Sequence, residues 1–380
     1  MNLNMFRNLF FCFLLLFISN VHAADKKIFT KHQRMHPLDI VFCLDLSGST
    51  NGLIDDVREQ LWTITNQVYA MQPVPDLRLG IIGFSRPIFG KESAYVKILS
   101  DLTTDFDSLA YELFKLRPAV EKGDQYVNAA LNVAMNEMSW GKEQDVKKII
   151  FIVGNGLASI HGIDLEKTCS QLVKQQITVN SLFVVGKGKT QLDAIAGWRK
   201  VADLTGGLES EIAVGKKDAV TDVDMHYSQL YDQNKSLNKT YLYHGESGKQ
   251  NFKRLHDLDS ATYLSGMNNF YQRVFYKCSP RFQNLQSHWD LIDYLKSAGG
   301  YPDNLNFETL PDSLKHFTGP QLQDAILNQK LLRDRLLREI DSLFKDNYVQ
   351  KIHQKFINHE FPDGNIFSRC VVNMLLKEWK

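Results

Sequence analysis

Strands and helices alternate in the hydrophobic pattern of the first half of the chain. Apolar, β-rich runs predict strands at 38–44, 78–84, 94–99, 148–154 and 177–185. Between them, apolar residues recur at helical spacing at 52–71, 126–138 and 191–204. Alternation of this kind is typical of βαβ crossovers, in which helices cover both faces of a mostly parallel sheet. The sequence therefore predicts a doubly wound, Rossmann-like α/β fold.

The second half has a different pattern, and residues 216–380 predict an α-helical C-terminal region. Residues 216–245 are polar and mixed, 247–278 predict one helix, and 287–300 predict a short one that glycines end. A long helix is predicted from Thr318, its cap, to about Phe356, with a proline in the first turn. Its apolar stripe consists of Leu322, Ile326, Leu332, Leu336, Ile340, Leu343 and Phe344. Such a stripe indicates a packing face, against the α/β domain or a partner helix.

The N-terminus has the pattern of a signal peptide over residues 1–23. Arg7 precedes an apolar stretch at 9–18, and small residues at Val21 and Ala23 predict cleavage after Ala23. The alternative is a membrane anchor, but the stretch is shorter than the roughly 20 residues that a spanning helix needs. We expect a secreted or periplasmic protein with no transmembrane segment in its mature chain.

Charge and cysteine content narrow the function further. The 380 residues include 44 basic and 43 acidic side chains, for a net charge of +1. This balance does not favour nucleic-acid binding, which usually requires a basic surface. Four cysteines follow the signal peptide. Cys278 and Cys370 both lie in the C-terminal region and could pair after export, which the sequence leaves open.

Polar side chains end the first predicted strand abruptly. Residues 39–50 read DIVFCLDLSGST, so Asp45, Ser47 and Ser49 follow a buried-looking run. Ligands of open α/β sheets bind at the carboxyl ends of the strands. Mg²⁺ prefers six oxygen ligands, and one carboxylate with two neutral hydroxyls undercompensates its charge. The ion would then keep an open position that an incoming carboxylate can fill, which is a binding mechanism and not a hydrolytic one.

The D-x-S-x-S pattern after an apolar strand resembles the metal-ion-dependent adhesion site of von Willebrand factor A domains. The resemblance covers about residues 36–210. It includes, in the order of the family, LRLGIIGF, GDQYVNAALNVA, KKIIFIVGNG and ITVNSLFVVG followed by VADLTGG. It implies a von Willebrand factor A fold for this region. Segments of 216–380 also resemble the helical extension of some secreted bacterial proteins with this domain.

The chain departs from the family pattern at two positions. Asp124 lies where the family usually has threonine, and Asn155 replaces the aspartate of T-D-G. The resemblance implies that Asp45, Ser47 and Ser49 are direct metal ligands. Asp124 would be a direct or water-mediated ligand, and the Asn155 amide would orient a bound water. The alternative is a degenerate site in which the two serines only cap the following helix.

The leading hypothesis is therefore an exported protein-binding module, not an enzyme, which uses a Mg²⁺-type ion to bind an acidic group of a partner protein. GKGKT at 186–190 lacks the first glycine of a phosphate-binding loop, and no G-x-S-x-G elbow is present. The alternative is a metal-independent structural or assembly protein of the cell envelope that acts through its C-terminal helices. Asn234 and Asn238 fit the glycosylation pattern, which matters only in a eukaryotic host.

Overall fold

A single six-stranded sheet organises the first half of the protein. The computed structural model describes residues 35–117, 126–158, 164–185, 192–215, 227–298, 305–345 and 366–379. The strands are β1 His36–Asp45, β2 Pro75–Phe84, β3 Lys97–Thr103, β4 Lys147–Gly154, β5 Ile177–Val184 and β6 Glu209–Ile212. They lie in the order β3-β2-β1-β4-β5-β6, and only the β2–β3 pair is antiparallel. The predicted mostly parallel sheet is confirmed.

In the described part of the α/β region, five helices follow or precede these strands and cover the sheet. They are α1 Leu53–Tyr69, α2 Phe106–Lys115, α3 Val127–Glu137, α4 Leu165–Lys174 and α5 Leu192–Thr205. The central strand β1 is buried on both faces because its side chains alternate between two cores. Ile40 and Phe42 pack in one core, and Val41 and Cys43 pack in the other. This explains why the run reads as continuously apolar.

The sequence pattern missed or misplaced the shorter elements. The strand predicted at 94–99 lies at 97–103, where most side chains are only half-buried because β3 is the edge strand. Helices α2 and α4 and strand β6 were not predicted. Asp105 and Asp164 cap these two helices by accepting a hydrogen bond from a backbone N–H three residues later. Aspartate before a short amphipathic stretch was the available signal.

Seven helices form the described C-terminal part, which confirms its helical character. They are α6 Tyr227–Asn238, α7 Gly248–Ser265, α8 Met267–Lys277, α9 Pro280–Gln286, α10 Leu291–Ala298, α11 Gly319–Lys345 and α12 Phe367–Glu378. The single helix predicted at 247–278 is wrong: Gly266, with φ of 142°, separates α7 from α8. The predicted long helix begins as expected, and its part beyond residue 345 lies outside the described residues.

The C-terminal helices pack on the α/β sheet and its helices. Helix α8 lies along α1, where the rings of Trp62 and Tyr276 are 4.9 Å apart. The stripe of α11 packs within the chain, since Leu336, Ile340 and Phe344 belong to the core that also contains one face of the sheet. No helix in the described part of the chain is long and apolar enough to cross a membrane.

The last helix, α12, returns to the sheet and lies beside α1. The ring of Phe367 is 5.8 Å from that of Phe42 in the central strand. The backbone N–H of Ser368 donates to Gln60 Oε1 of α1 at 2.7 Å. Helix α12 also contacts β6. The end of the described chain therefore completes one covered face of the sheet, although more than a hundred residues separate it from β6 in sequence.

A buried network of charges joins α2 to the C-terminal helices. Arg273 of α8 donates to both oxygens of Asp107 in α2 and, through Nε at 3.2 Å, to Asp259 in α7. Lys277 Nζ donates to Asp259 Oδ2 at 2.6 Å and to the amide oxygens of Asn234 and Asn238. Both asparagines are buried, so neither glycosylation pattern presents an accessible side chain in the folded protein.

The four described cysteines form no disulfide with one another. The pairing of Cys278 with Cys370 that the sequence left open is not formed. Cys370 lies on α12 instead, where its Sγ is 3.6 Å from the hydroxyl of Ser210 in β6. Burial raises the pKa of the Cys278 thiol to about 12, which keeps it protonated and unreactive.

Candidate metal-binding site

The candidate site lies at the carboxyl end of the central strand. β1 ends at Asp45, whose register partner on β2 is Phe84, and the N–H of Leu46 donates to Phe84 O at 3.0 Å. A 3₁₀ turn at Gly48–Thr50 then reverses the chain. The Thr50 hydroxyl holds this turn by donating to the carbonyl oxygens of Asp45 at 2.8 Å and Ser47 at 2.9 Å. Thr50 was not among the predicted site residues.

The turn brings the predicted oxygen atoms together. Ser47 N–H donates to Asp45 Oδ1 at 2.9 Å, and the hydroxyl oxygens of Ser47 and Ser49 are 2.9 Å apart. Ser49 Oγ also donates to Asn155 Oδ1 at 2.9 Å, and the Asn155 amide returns a hydrogen bond to Ser49 O at 3.1 Å. Four of the five predicted site residues therefore form one hydrogen-bonded cluster. The fifth, Asp124, lies outside the described residues.

The backbone after β4 is close against the carboxylate, and this requires glycine. A Cβ atom at Gly154 would lie 2.5 Å from Asp45 Cβ, 3.0 Å from Asp45 Oδ2 and 3.1 Å from the Trp198 ring. The first distance is too short for two carbon atoms. Gly154 therefore lets β4 approach β1 closely enough for the next residue, Asn155, to reach Ser49.

The Asp45 carboxyl group is buried, and its electrostatics reflect that. Burial raises its pKa from 3.8 to about 6, although hydrogen bonds from Ser47 and from the Asn155 backbone act in the opposite direction. Desolvation, which disfavours the charged form, is the largest cause of this shift. A positive charge at this point would favour the carboxylate form, which is what a bound cation would provide.

The two serines do not cap the following helix. Helix α1 has Gly52 as its N-cap, with φ of 103° and no side-chain hydrogen bond at the cap. The hydroxyls of Ser47 and Ser49 instead bond to each other and to Asn155. The prediction that Ser47 and Ser49 cap helix α1 is therefore wrong.

The donor set fits a small hard cation in type and spacing. It offers one carboxylate, two hydroxyls and an amide oxygen, all of which are ligand types that Mg²⁺ accepts. In an octahedral shell with Mg–O distances of about 2.1 Å, neighbouring ligand oxygens lie roughly 3 Å apart. The Ser47–Ser49 and Ser49–Asn155 oxygen pairs are each at 2.9 Å. Within the described residues, no group of three His, Cys, Asp or Glu side chains is placed to hold a metal ion.

The fold and the site define a class: a mostly parallel α/β sheet domain with a D-x-S-x-S loop at the end of its central strand. Residues 39–202 match the family model of the von Willebrand factor type A domain. The chain thus contains a von Willebrand factor type A domain over this range. Domains of this family act mostly as interaction modules, and members can bind a divalent cation at the adhesion site.

Two solved structures are similar to this chain at low identity. BatB, a conserved hypothetical protein from Bacteroides thetaiotaomicron, shares 13% identity, with 47% of this chain and 91% of that chain covered and a TM-score of 0.36. Proximal thread matrix protein 1 from the mussel byssus, with a zinc-occupied MIDAS motif, shares 17%, with 47% and 42% covered and a TM-score of 0.36. A search of curated proteins found no match.

Proposed function

We propose that the protein is an exported binding module that holds a divalent cation, Mg²⁺ foremost, at the Asp45 cluster and uses it to bind an acidic group of a partner protein. The observation that carries the proposal is the convergence of Asp45, Ser47, Ser49 and Asn155 at one sheet edge. Export is proposed from the N-terminal sequence pattern. In the proposed complex, the ion supplies a positive charge with a coordination position open to the partner's carboxylate.

Each residue of the oxygen cluster has a separate role in the proposed complex. Asp45 provides the negative charge, and its burial holds it in one position. The hydroxyls of Ser47 and Ser49 add neutral oxygens, so the ion keeps net positive charge toward the partner. Asn155 positions Ser49 and, in the proposed complex, a bound water. Asp124 is proposed as a further direct or water-mediated ligand.

The alternative function through the C-terminal helices has less support from the described residues. Leu336, Ile340 and Phe344 of the α11 stripe are buried in the core that they share with the sheet. Leu322 and Ile326 pack in a separate core with α10. A stripe that already packs within the chain does not offer the same surface to a partner.

The test is thermal unfolding of the full chain with Mg²⁺, Mn²⁺, Ca²⁺ or EDTA. A cation at 100 times its dissociation constant should stabilise the folded state by about 2.7 kcal/mol. Asp45→Asn should remove this shift. Without metal at neutral pH, the variant should be at least as stable as the wild type, because the amide has no charge to desolvate. Loss of the shift would then not reflect misfolding.

Asp203→Asn is the matched control. Asp203 is an exposed residue in the last turn of α5. It has the same charge as Asp45, and it belongs neither to the oxygen cluster nor to the lining of the cavity beside Asp45. We expect it to keep the metal-dependent shift. If no ion shifts the midpoint of the wild type at millimolar concentrations, or if Asp45→Asn keeps the shift, the metal site is refuted.

A further inference from the structure

A second polar group lies at the same sheet edge as the candidate metal site. Asp45 and Phe84 are register partners at the ends of β1 and β2, so Ser47 and Arg86 each follow two residues after the end of their strand. Phe89, three residues beyond Arg86, lies near the Asp45 loop: a Cβ atom at Gly83 would contact both the Phe89 ring and the Leu46 side chain. The β2–β3 loop is therefore a neighbour of the candidate site.

Hydrogen bonds and a ring contact hold this loop, residues 85–96. Its backbone closes on itself through hydrogen bonds from Phe89 N–H to Arg86 O at 3.0 Å and from Tyr95 N–H to Gly90 O at 2.9 Å. Ser85, with φ of 64°, accepts a hydrogen bond from Tyr126 N–H at 3.3 Å, and the Tyr95 and Tyr126 rings are 4.9 Å apart. A loop held at both ends presents its side chains with little loss of entropy on binding.

The Arg86 guanidinium has no acceptor within the part of the chain that the structure describes. Its Nε is buried and makes no hydrogen bond, and among the described residues no carboxylate forms an ion pair with this side chain. The carboxylate of Glu92, in the same loop, lies over Gly90 and does not pair with Arg86. A buried donor without an acceptor is unfavourable, and a guanidinium presents donors that match a carboxylate in a bidentate geometry.

We propose that Arg86 is a second anion-binding point, and that the partner segment presents two carboxylates, one to the cation and one to this guanidinium. The inference rests on the proposed function and narrows its partner to an acidic segment. In an extended peptide, side chains two residues apart point the same way and lie roughly 7 Å apart. Neighbouring strands are about 4.8 Å apart, so an Asp-x-Asp segment has a suitable length to reach from the β1 loop to the β2 loop.

The experiment measures binding of fluorescent peptides of equal length, blocked at both ends, that contain Asp-x-Asp, Asp-x-Asn or Asn-x-Asn. Fluorescence anisotropy is recorded with the full chain in Mg²⁺ and in EDTA. We expect the wild type to bind Asp-x-Asp about tenfold more tightly than Asp-x-Asn in Mg²⁺. Arg86→Gln should abolish this preference and leave the affinity for Asp-x-Asn and the metal-dependent thermal shift unchanged.

Two variants serve as controls. Lys91→Gln removes an exposed charge from the same loop and should keep the preference. Arg86→Lys keeps the charge without the bidentate geometry and should give an intermediate preference. Equal binding of the two acidic peptides by the wild type, or a preference that persists in Arg86→Gln, would overturn the inference.

The outcomes also separate this inference from the metal proposal. An Arg86-dependent preference, combined with no metal-dependent thermal shift of the wild type, would support the Arg86 site and refute the metal site. A metal-dependent thermal shift with no Arg86-dependent preference would support the metal site and refute the Arg86 site. Absence of binding to every peptide, with and without Mg²⁺, would refute the Arg86 site and the proposed binding of an acidic group, whereas the thermal shift alone decides whether a metal ion binds.

Discussion

The buried network around Asp259 predicts a large loss of stability when its charge is removed. Asp259 is 5% exposed and accepts hydrogen bonds from four donors. Its Oδ2 accepts from Lys277 at 2.6 Å, Asn238 at 2.7 Å and Asn234 at 2.9 Å, and its Oδ1 accepts from Arg273 at 3.2 Å. Asp259→Asn keeps the shape of the side chain and removes the charge.

The expected magnitude follows from what remains after this change. Arg273 keeps its bidentate partner Asp107, but Lys277 keeps only the two amide oxygens of asparagines and becomes a buried ammonium without a counterion. Hydrogen bonds with charged groups contribute about 1.5–3 kcal/mol each, and two of the four donors to Asp259 are charged. Removing one partner of a buried ion pair costs about 3–5 kcal/mol. We expect a loss in this range, a large fraction of the stability of a typical domain.

The assay is urea unfolding followed by circular dichroism. Asp257→Asn on the same helix is the matched control, because Asp257 pairs with the exposed Lys253 one turn away. We expect this change to have a much smaller effect. The double variant Asp259→Asn with Lys277→Met removes both charges of the buried pair. It should be more stable than Asp259→Asn alone, because no ammonium is left without a counterion.

Two results would refute this reasoning. One is a loss for Asp259→Asn no larger than that for Asp257→Asn, which would mean that the network adds nothing beyond an exposed pair. The other is a double variant less stable than Asp259→Asn, which would mean that Lys277 stabilises the fold through contacts other than its charge. Either result would also remove the argument that this network fixes the C-terminal helices on α2.

Three further predictions follow from buried groups. Burial raises the pKa of Asp293 from 3.8 to about 7, so folding favours its protonated form. This stabilisation is full below about pH 4 and is lost as pH rises to about 7. Asp293→Asn should remove this pH dependence of the free energy of unfolding, and the same pH dependence in the variant and the wild type would contradict the prediction. Phe367→Ala should cost about 3–5 kcal/mol by urea unfolding, because the ring packs on Phe42 in the core, and a loss under 1 kcal/mol would show that α12 is not part of that core. Gly154→Ala should displace Asp45 and abolish the metal-dependent thermal shift, and an unchanged shift would contradict the close approach of β4.

The parallel sheet and the start of the candidate site could be predicted because both depend on local pattern. A strand buried on both faces reads as an apolar run, and the polar residues after it must lie at its carboxyl end. Asp45, Ser47 and Ser49 are close in sequence, so a single turn is enough to bring them together. The edge strand β3 was misplaced for the opposite reason, since a half-buried strand lacks the apolar run.

Only the tertiary structure decided which distant segments meet. Ser49 and Asn155 are bonded across 106 residues, and Gly154 makes this possible by its lack of a side chain. The return of α12 to the central strand has no counterpart in the local pattern. An amphipathic helix shows in its sequence that it must bury a face, but not against which surface. That choice depends on the shape and charge of the whole assembled core, because burial is non-directional and many surfaces can satisfy the same stripe.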